Sequence, residues 1–197
     1  MKKIALIAMT AAAAIATPAM AQSTTSVTGT IDITGAVAAK CYVGTDSAQK
    51  TFAATVAMEE LANADGTLKD SATLAAKFAT AGGVALATKV VCNGAAPNVT
   101  VTADPLKHSA VTDANLPTGY NNTVNYTANV KFTLATGTDV TVSDLSGGNS
   151  SAQSLATALS TASGTNVAVT TSDWTAPGVL VAGDYAGKIT ILVKPTV

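Results

Sequence analysis

The 197-residue sequence has few of the side chains on which most protein chemistry depends. It contains no arginine, one histidine, one tryptophan and two cysteines, and only 12% of its residues are charged, against about a quarter in an average soluble protein. Eleven lysines nearly balance twelve acidic residues, so a basic surface for nucleic acid is not expected. A metal centre needs three or four ligands, and few are present. The composition therefore argues against an enzyme, a metal or a cofactor, and favours a small secreted β-protein.

The first 21 residues have the pattern of a removable secretion signal. Lys2 and Lys3 precede an apolar run over residues 4–16, and Ala19 and Ala21 stand at positions −3 and −1 of a small-residue cleavage site. The alternative is a membrane anchor, but a spanning helix needs about 20 apolar residues and this run is shorter. Cleavage would leave nine lysines against twelve acids, a net charge of −3. The remaining length suits one all-β sandwich.

Cys41 and Cys92 are the only cysteines, so a single intramolecular pairing exists. A secretion signal directs them to an oxidising compartment, where disulfides persist. As metal ligands they would have only His108 to assist, and a redox pair would more usually be CxxC. The pair is predicted to be a structural disulfide. Closing a loop of about 50 residues stabilises a fold by roughly 4 kcal/mol.

Alternation of apolar and polar residues predicts a series of short strands. The candidate strands cover residues 26–37, 50–58, 84–92, 98–103, 122–134, 139–142, 166–170 and 185–194. Residues 70–80 are expected to form a short helix. Leu155 and Leu159, four residues apart in a Ser/Ala/Gly-rich stretch over 145–165, indicate another helix of one or two turns. Many short strands without long alternating helices favour an all-β sandwich over an α/β fold.

No arrangement of residues in the sequence is typical of an active site. His108 follows a proline and precedes a polar loop, where a solvent-exposed side chain is expected. Glu59 and Glu60 are adjacent, and adjacent side chains point apart in helices and strands. Trp174 is expected to fill the core or a loop rather than to form a sugar-binding platform. A nucleophile elbow and a glycine-rich phosphate loop are both missing.

The strand predicted over residues 26–37 needs a partner for its apolar face. One face carries Val27, Gly29, Ile31, Ile33 and Val37. Its four large side chains are worth roughly 6–12 kcal/mol when fully buried, as an upper figure. The segment is either the first strand of its own sandwich or a strand donated to a neighbouring molecule.

Three blocks of the sequence, taken in order, resemble a known family. The alternating N-terminal strand runs into Cys41-Tyr42-Val43-Gly44. A second cysteine follows in the turn Cys92-Asn93-Gly94, and the chain closes on a strand that begins Gly183-Asp184-Tyr185 and continues to Val193. This order is similar to that of subunits of archaic chaperone–usher pili, which are related to the spore coat protein U family.

The resemblance implies an immunoglobulin-like β-sandwich that lacks one strand. A periplasmic chaperone would lend that strand until the N-terminal segment of another copy, or of a sister pilin, replaces it at an outer-membrane usher. Residues 22–38 would be the donor segment and residues 39–197 the pilin domain. The family likeness assigns Val27, Gly29, Ile31, Ile33 and Val37 to the donor strand, Ile189, Ile191 and Val193 to the wall of the acceptor groove, and Cys41 and Cys92 to the family disulfide.

On this interpretation the chain is a pilus or fimbria subunit on the surface of a Gram-negative bacterium, a setting connected with cell adhesion and biofilm. Two other hypotheses stay open. A self-complete secreted sandwich could act as an adhesin or coat module, and it would show no exposed groove as a monomer. A secreted hydrolase would have to depend on His108.

Overall fold

The computed structural model of the chain describes residues 31–162 and 164–196. The chain divides into two compact units, Met1–Ala36 and Val37–Val197. Of the first unit, only residues 31–36 are described. The predicted signal peptide and the donor positions Val27 and Gly29 therefore lie outside the described residues. The strand predicted over residues 26–37 is not formed by its described part, because residues 31–37 have no regular secondary structure.

The second unit consists mainly of β-strands, which confirms the all-β prediction. The strands in chain order are β1 (Cys41–Val43), β2 (Ala87–Thr88), β3 (Val90–Cys92), β4 (Asn98–His108), β5 (Tyr120–Asn121), β6 (Thr123–Thr133), β7 (Asp139–Leu145), β8 (Ser151–Ser154), β9 (Val167–Thr175), β10 (Val179–Leu180) and β11 (Tyr185–Lys194). One α-helix, α1 (Ser71–Gly82), precedes a 3₁₀ turn at Gly83–Leu86, and a second 3₁₀ turn covers Asp113–Asn115.

The long strand β6 belongs to two antiparallel sheets. Its first residues, Thr123 and Val124, pair with the end of β4, while the rest of the strand pairs with β7 on one side and β9 on the other. The first sheet therefore has the order β2–β9–β6–β7. In the second sheet, β4 lies between β11 and β8. The two sheets share one core, and the result is a sandwich-like fold.

The core contains the apolar face predicted from the alternation in β6. Val124, Tyr126, Ala128, Val130 and Phe132 are each no more than 2% exposed. Trp174 on β9 is buried as expected, and its ring stacks on Tyr126 with the ring centroids 4.8 Å apart.

The helix predicted over residues 70–80 is confirmed as α1. The side chain of Asp70 accepts a hydrogen bond from the backbone N–H of Thr73 at 2.8 Å, which is the usual way to start a helix. Leu74 and Phe78, four residues apart, are buried against the core, and the helix contacts β9. No helix in the described part of the chain is both long and apolar enough to cross a membrane.

Two predicted strands are wrong in whole or in part. Residues 50–58 form no strand, although Phe52, Val56 and Met58 are half-buried against the core. The strand predicted over residues 84–92 begins instead as the 3₁₀ turn, in which the Leu86 side chain lies directly against Gly82. Only β2 and β3 remain of that prediction.

The helix predicted around Leu155 and Leu159 is wrong. Both side chains are buried, with 2% and 1% exposure, but no helix forms: residues 151–154 form β8, and Leu159 pairs with Leu134 as an isolated β-bridge. The backbone N–H of Ser160 donates to the carbonyl of Thr133 at 2.9 Å. Backbone groups that a helix would pair internally are instead paired with the neighbouring strands.

Candidate functional site

The C-terminal strand β11 has one free edge. It pairs with β4 along its length, from Tyr185 opposite His108 to Lys194 opposite Asn98, and no strand in the described part of the chain pairs with its other side. A long edge strand exposes a row of backbone N–H and C=O groups that can pair with another chain. The free edge of β11 is therefore a ready template for an added strand.

The apolar face of β11 is only partly covered. Ile189, Ile191 and Val193 contact the core but are half-buried. Their direct partners on β4 are almost fully buried: Ala103 is 4% exposed, and Val101 and Val99 are 0% exposed. Burial therefore falls sharply over one strand spacing, about 4.8 Å. The acceptor-wall residues expected from the sequence lie together on one face, and they are less buried than their partners on β4.

The apolar side chains of the N-terminal segment are exposed to a greater extent than those of β11. Ile31, Ile33 and Val37 are 88%, 91% and 86% exposed. Isoleucine and valine are among the residues most often fully buried in folded proteins, and β-branched side chains favour strands. These three predicted donor residues are therefore of a type that folded proteins usually bury, and all three are exposed.

The point where the segment enters the domain is fixed by Cys92 and Asn93. Cys41 and Cys92 form the predicted disulfide, and β1 pairs with β3 around it. The side-chain amide of Asn93 donates to the carbonyl of Ala38 at 2.9 Å, and its oxygen accepts the backbone N–H of Lys40 at 2.6 Å. The Asn93 side chain thus bonds the backbone of residues 38–40 in the way that a neighbouring strand would. The sequence identified Asn93 only as part of a turn.

The same turn contacts the C-terminal end of the chain. The hydroxyl of Thr196 donates to the carbonyl of Ala96 at 2.7 Å. A side chain at Gly94 would place its Cβ 2.5 Å from the carbonyl oxygen of Thr196. Glycine is required there because the two backbone segments approach too closely for any larger residue.

A bulge interrupts the pairing of β11 with β4. The register shifts between Ala186 and Lys188, opposite the region of Pro105, which has no N–H to donate. The hydroxyl of Tyr126 donates to the carbonyl of Asp104 at 2.9 Å, and the carbonyl of Lys188 lies 3.3 Å away. Burial, with smaller contributions from nearby carboxylates, raises the pKa of Tyr126 to about 12. Tyr126 therefore remains a neutral donor that holds the two strands together at the bulge.

His108 is half-buried, so the expectation of an exposed side chain is wrong. Its Nδ1 accepts the backbone N–H groups of Ala110 at 3.0 Å and Val111 at 2.9 Å, while Nε2 lies 3.1 Å from the carbonyl of Ala182. The ring also meets Tyr185 edge-on, with centroids 5.3 Å apart. These contacts fit the tautomer with its hydrogen on Nε2. Both ring nitrogens are occupied in organising the loops at this end of β11.

A buried carboxylate that sequence analysis missed joins the two sheets. Asp144 is 3% exposed; it accepts the backbone N–H of Ala103 at 2.8 Å and the hydroxyl of Ser151 at 3.2 Å. Asp144 shares the inward face of β7 with Val140 and Val142. Extending the alternation of that strand by two residues would have predicted that Asp144 is buried. Among the described residues, no group of three or more His, Cys, Asp and Glu side chains is positioned to hold a metal ion.

The search for related proteins gives no family for this chain: no protein-family model and no curated protein matches it.

Proposed function

We propose that this chain is a structural subunit of a surface pilus and that it polymerises by donating its N-terminal segment to the next copy. Residues 22–38 of one copy would pair with the free edge of β11 in another. The observation that carries the proposal is that two sets of apolar side chains, one on β11 and one in the N-terminal segment, are both incompletely buried. Ile189, Ile191 and Val193 have incomplete cover, and Ile31, Ile33 and Val37 are exposed.

The energetics of such a joint are favourable. Each isoleucine or valine that becomes fully buried contributes roughly 1.5–3 kcal/mol, and the free backbone groups of β11 gain hydrogen-bond partners along the strand. The donor and acceptor surfaces are different parts of the chain, so each added copy presents a new donor or a new acceptor. A heterologous contact of this kind does not close on itself and produces a filament.

An open edge also needs protection before assembly, because unpaired strands aggregate. The resemblance of the three sequence blocks assigns that protection to a periplasmic chaperone and the exchange to an outer-membrane usher. The Cys41–Cys92 disulfide fits the oxidising compartment that this route requires.

The competing hypotheses have less support. A self-complete adhesin or coat module would not need a long unpaired edge, whereas the outer edge of β11 has no strand partner among the described residues. A hydrolase centred on His108 would need a ring nitrogen free for proton transfer, and both nitrogens have backbone partners.

A pair of matched variants in the full chain tests the proposal. Ile31→Asp places a charge on the apolar face of the donor, where burial is costly, and we expect it to abolish the high-molecular-weight ladder of unboiled filaments. Thr34→Asp adds the same charge to the opposite face and should leave the ladder intact. Normal subunit levels in both variants show that folding is unaffected. A native ladder from Ile31→Asp would overturn strand donation.

A further inference from the structure

We propose that Asp32 of the donated segment forms an ion pair with Lys188 of the receiving copy, and that this pair selects the register of the joint. The inference rests on the proposed function, because it concerns how the donor segment lies along β11. The proposed ion pair gives a role to two charged residues that do not belong to either apolar face.

The charges on the two surfaces are complementary. Between residues 22 and 39, Asp32 is the only charged residue. It is exposed and alternates with Ile31 and Ile33, so it belongs to the polar face of the segment. The outward face of β11 carries two charges, Lys188 and Lys194, and both are positive and exposed. Once the donor is paired with β11, the polar faces of both strands point outward together.

The apolar side chains indicate which lysine Asp32 reaches. Ile31 and Ile33 are the two largest apolar residues of the described donor segment, and Ile189 and Ile191 are the two largest aliphatic residues on the half-buried face of β11. When these pairs lie opposite each other, Asp32 lies opposite Thr190. This holds whether the donor runs parallel or antiparallel to β11, because position 32 lies midway between 31 and 33, as 190 does between 189 and 191.

From that position, only one lysine is within reach. Lys188 is the diagonal neighbour, at a separation of about 7–8 Å that a long side chain spans. Lys194 is four residues from Thr190, about 13 Å along the strand. Leu192, the other diagonal neighbour, has no charge. A slip of two residues in one direction would instead place an isoleucine opposite Gly187, where the register of β11 against β4 shifts.

Lys188 is available for such a pair. Its direct neighbour on β4 is the exposed Asp104, but among the described residues the one ion pair formed is Lys131 with Asp139. The ammonium group of Lys188 can therefore turn toward the free edge. In the joint, it would lie between Asp104 on one side and Asp32 on the other.

Apolar alternation repeats every two residues, so the apolar side chains alone do not fix the register of the donor strand. A donor strand displaced by two positions still buries apolar side chains, and only positions that differ from their neighbours distinguish the two arrangements. Charged groups at the rim of an interface commonly contribute register and association rate more than affinity. The Asp32–Lys188 pair meets this requirement at an exposed position, where it does not need to be desolvated.

A double-mutant cycle in the full chain tests the pair, with the rate of ladder formation as the measurement. We expect Asp32→Asn and Lys188→Gln each to slow polymerisation about two- to five-fold, the range of an exposed ion pair, and the double variant to be no slower than either single one. Lys194→Gln is the matched control, with the same charge on the same face, and should polymerise at the native rate. The difference between Asp32→Asn and the native chain should disappear in 1 M salt, where the Debye length is about 3 Å.

A charge swap gives an independent readout. Asp32→Lys should slow polymerisation more than Asp32→Asn does, and adding Lys188→Glu should restore it, whereas adding Lys194→Glu should not. Additive effects in the cycle, or rescue by Lys194→Glu, would overturn the assignment. Ile31→Asp is run in the same assay to separate the two ideas. If it blocks the ladder while Asp32→Asn has no effect, the ion pair alone is wrong; if it polymerises normally, strand donation itself is wrong.

Discussion

Individual polar side chains in this fold take the place of missing backbone partners. The amide of Asn166 bonds both the N–H and the C=O of Val90, at 2.8 and 2.7 Å, and Asn93 does the same for residues 38–40. Asp144 and Tyr126 serve the backbone of β4. Each contact joins segments far apart in the sequence, so hydrophobic alternation does not reveal the bonding partner, even where it places the side chain on an inward face, as it does for Asp144. Residue patterns predict which side chains are buried apolar ones, and miss the polar groups that depend on tertiary pairing.

The buried hydroxyl of Tyr126 makes stability depend on pH in the alkaline range. Its pKa is raised from 10.0 to about 12 in the folded chain, so the folded state holds the proton more tightly. The resulting stabilisation is complete below pH 10 and is lost as the pH rises through 12. Between pH 9 and pH 11 this group should lower the free energy of unfolding by about 1.4 kcal/mol.

Urea unfolding at those two pH values provides the measurement. Tyr126→Phe should be less stable than the native chain at pH 9, because the carbonyl of Asp104 loses its donor, but should lose about 1.4 kcal/mol less on going to pH 11. Equal losses in the native chain and the variant would contradict the assignment.

At the scale of single elements, β11 has two faces whose roles differ sharply. Ile191 lies on the half-buried inner face against the core, and Leu192 lies on the outer face with 44% exposure. Ile191→Asp places a charge in the apolar wall, which costs several kcal/mol, so the variant should fail to fold. Leu192→Asp is the matched control and should be exported as a folded subunit. The level of soluble, disulfide-bonded protein measures both, and a normal level of Ile191→Asp would disprove the placement of this strand.

How well an element was predicted depends on where its hydrogen-bond partners lie. The strands β6 and β11 alternate strictly and occur almost where the sequence placed them, because one face of each is buried. The stretch over residues 50–58 also alternates, yet it has no strand neighbour and forms no ladder. Leu155 and Leu159 have helical spacing, but their segment pairs with β4 and β6. Spacing identifies the buried side chains in both cases, whereas the backbone conformation depends on distant strands.

At the scale of the whole molecule, the attachment of residues 38–40 bears on the choice between strand donation and a self-complete sandwich. Residues 31–37 have no regular secondary structure, while residues 38–40 are held by Asn93 next to the Cys41–Cys92 disulfide. The domain therefore has an attachment point that is independent of the segment preceding it. A deletion that stops before residue 38 leaves every one of these contacts in place.

We predict that deletion of residues 22–37 leaves a folded subunit that cannot polymerise. If the segment were the first strand of its own domain, the deletion would remove roughly 6–12 kcal/mol of apolar burial, comparable to the whole stability of a domain, and the protein would be lost. As a donor, the segment contributes to the next copy instead. The shortened chain should accumulate as a soluble subunit with its disulfide formed, and it should give no ladder. It should nevertheless accept a donor, because the free edge of β11 is intact, so mixing it with native chains should end filaments early and shorten the ladder. Loss of the folded subunit would refute donation, since only a strand built into its own sandwich makes folding depend on these residues.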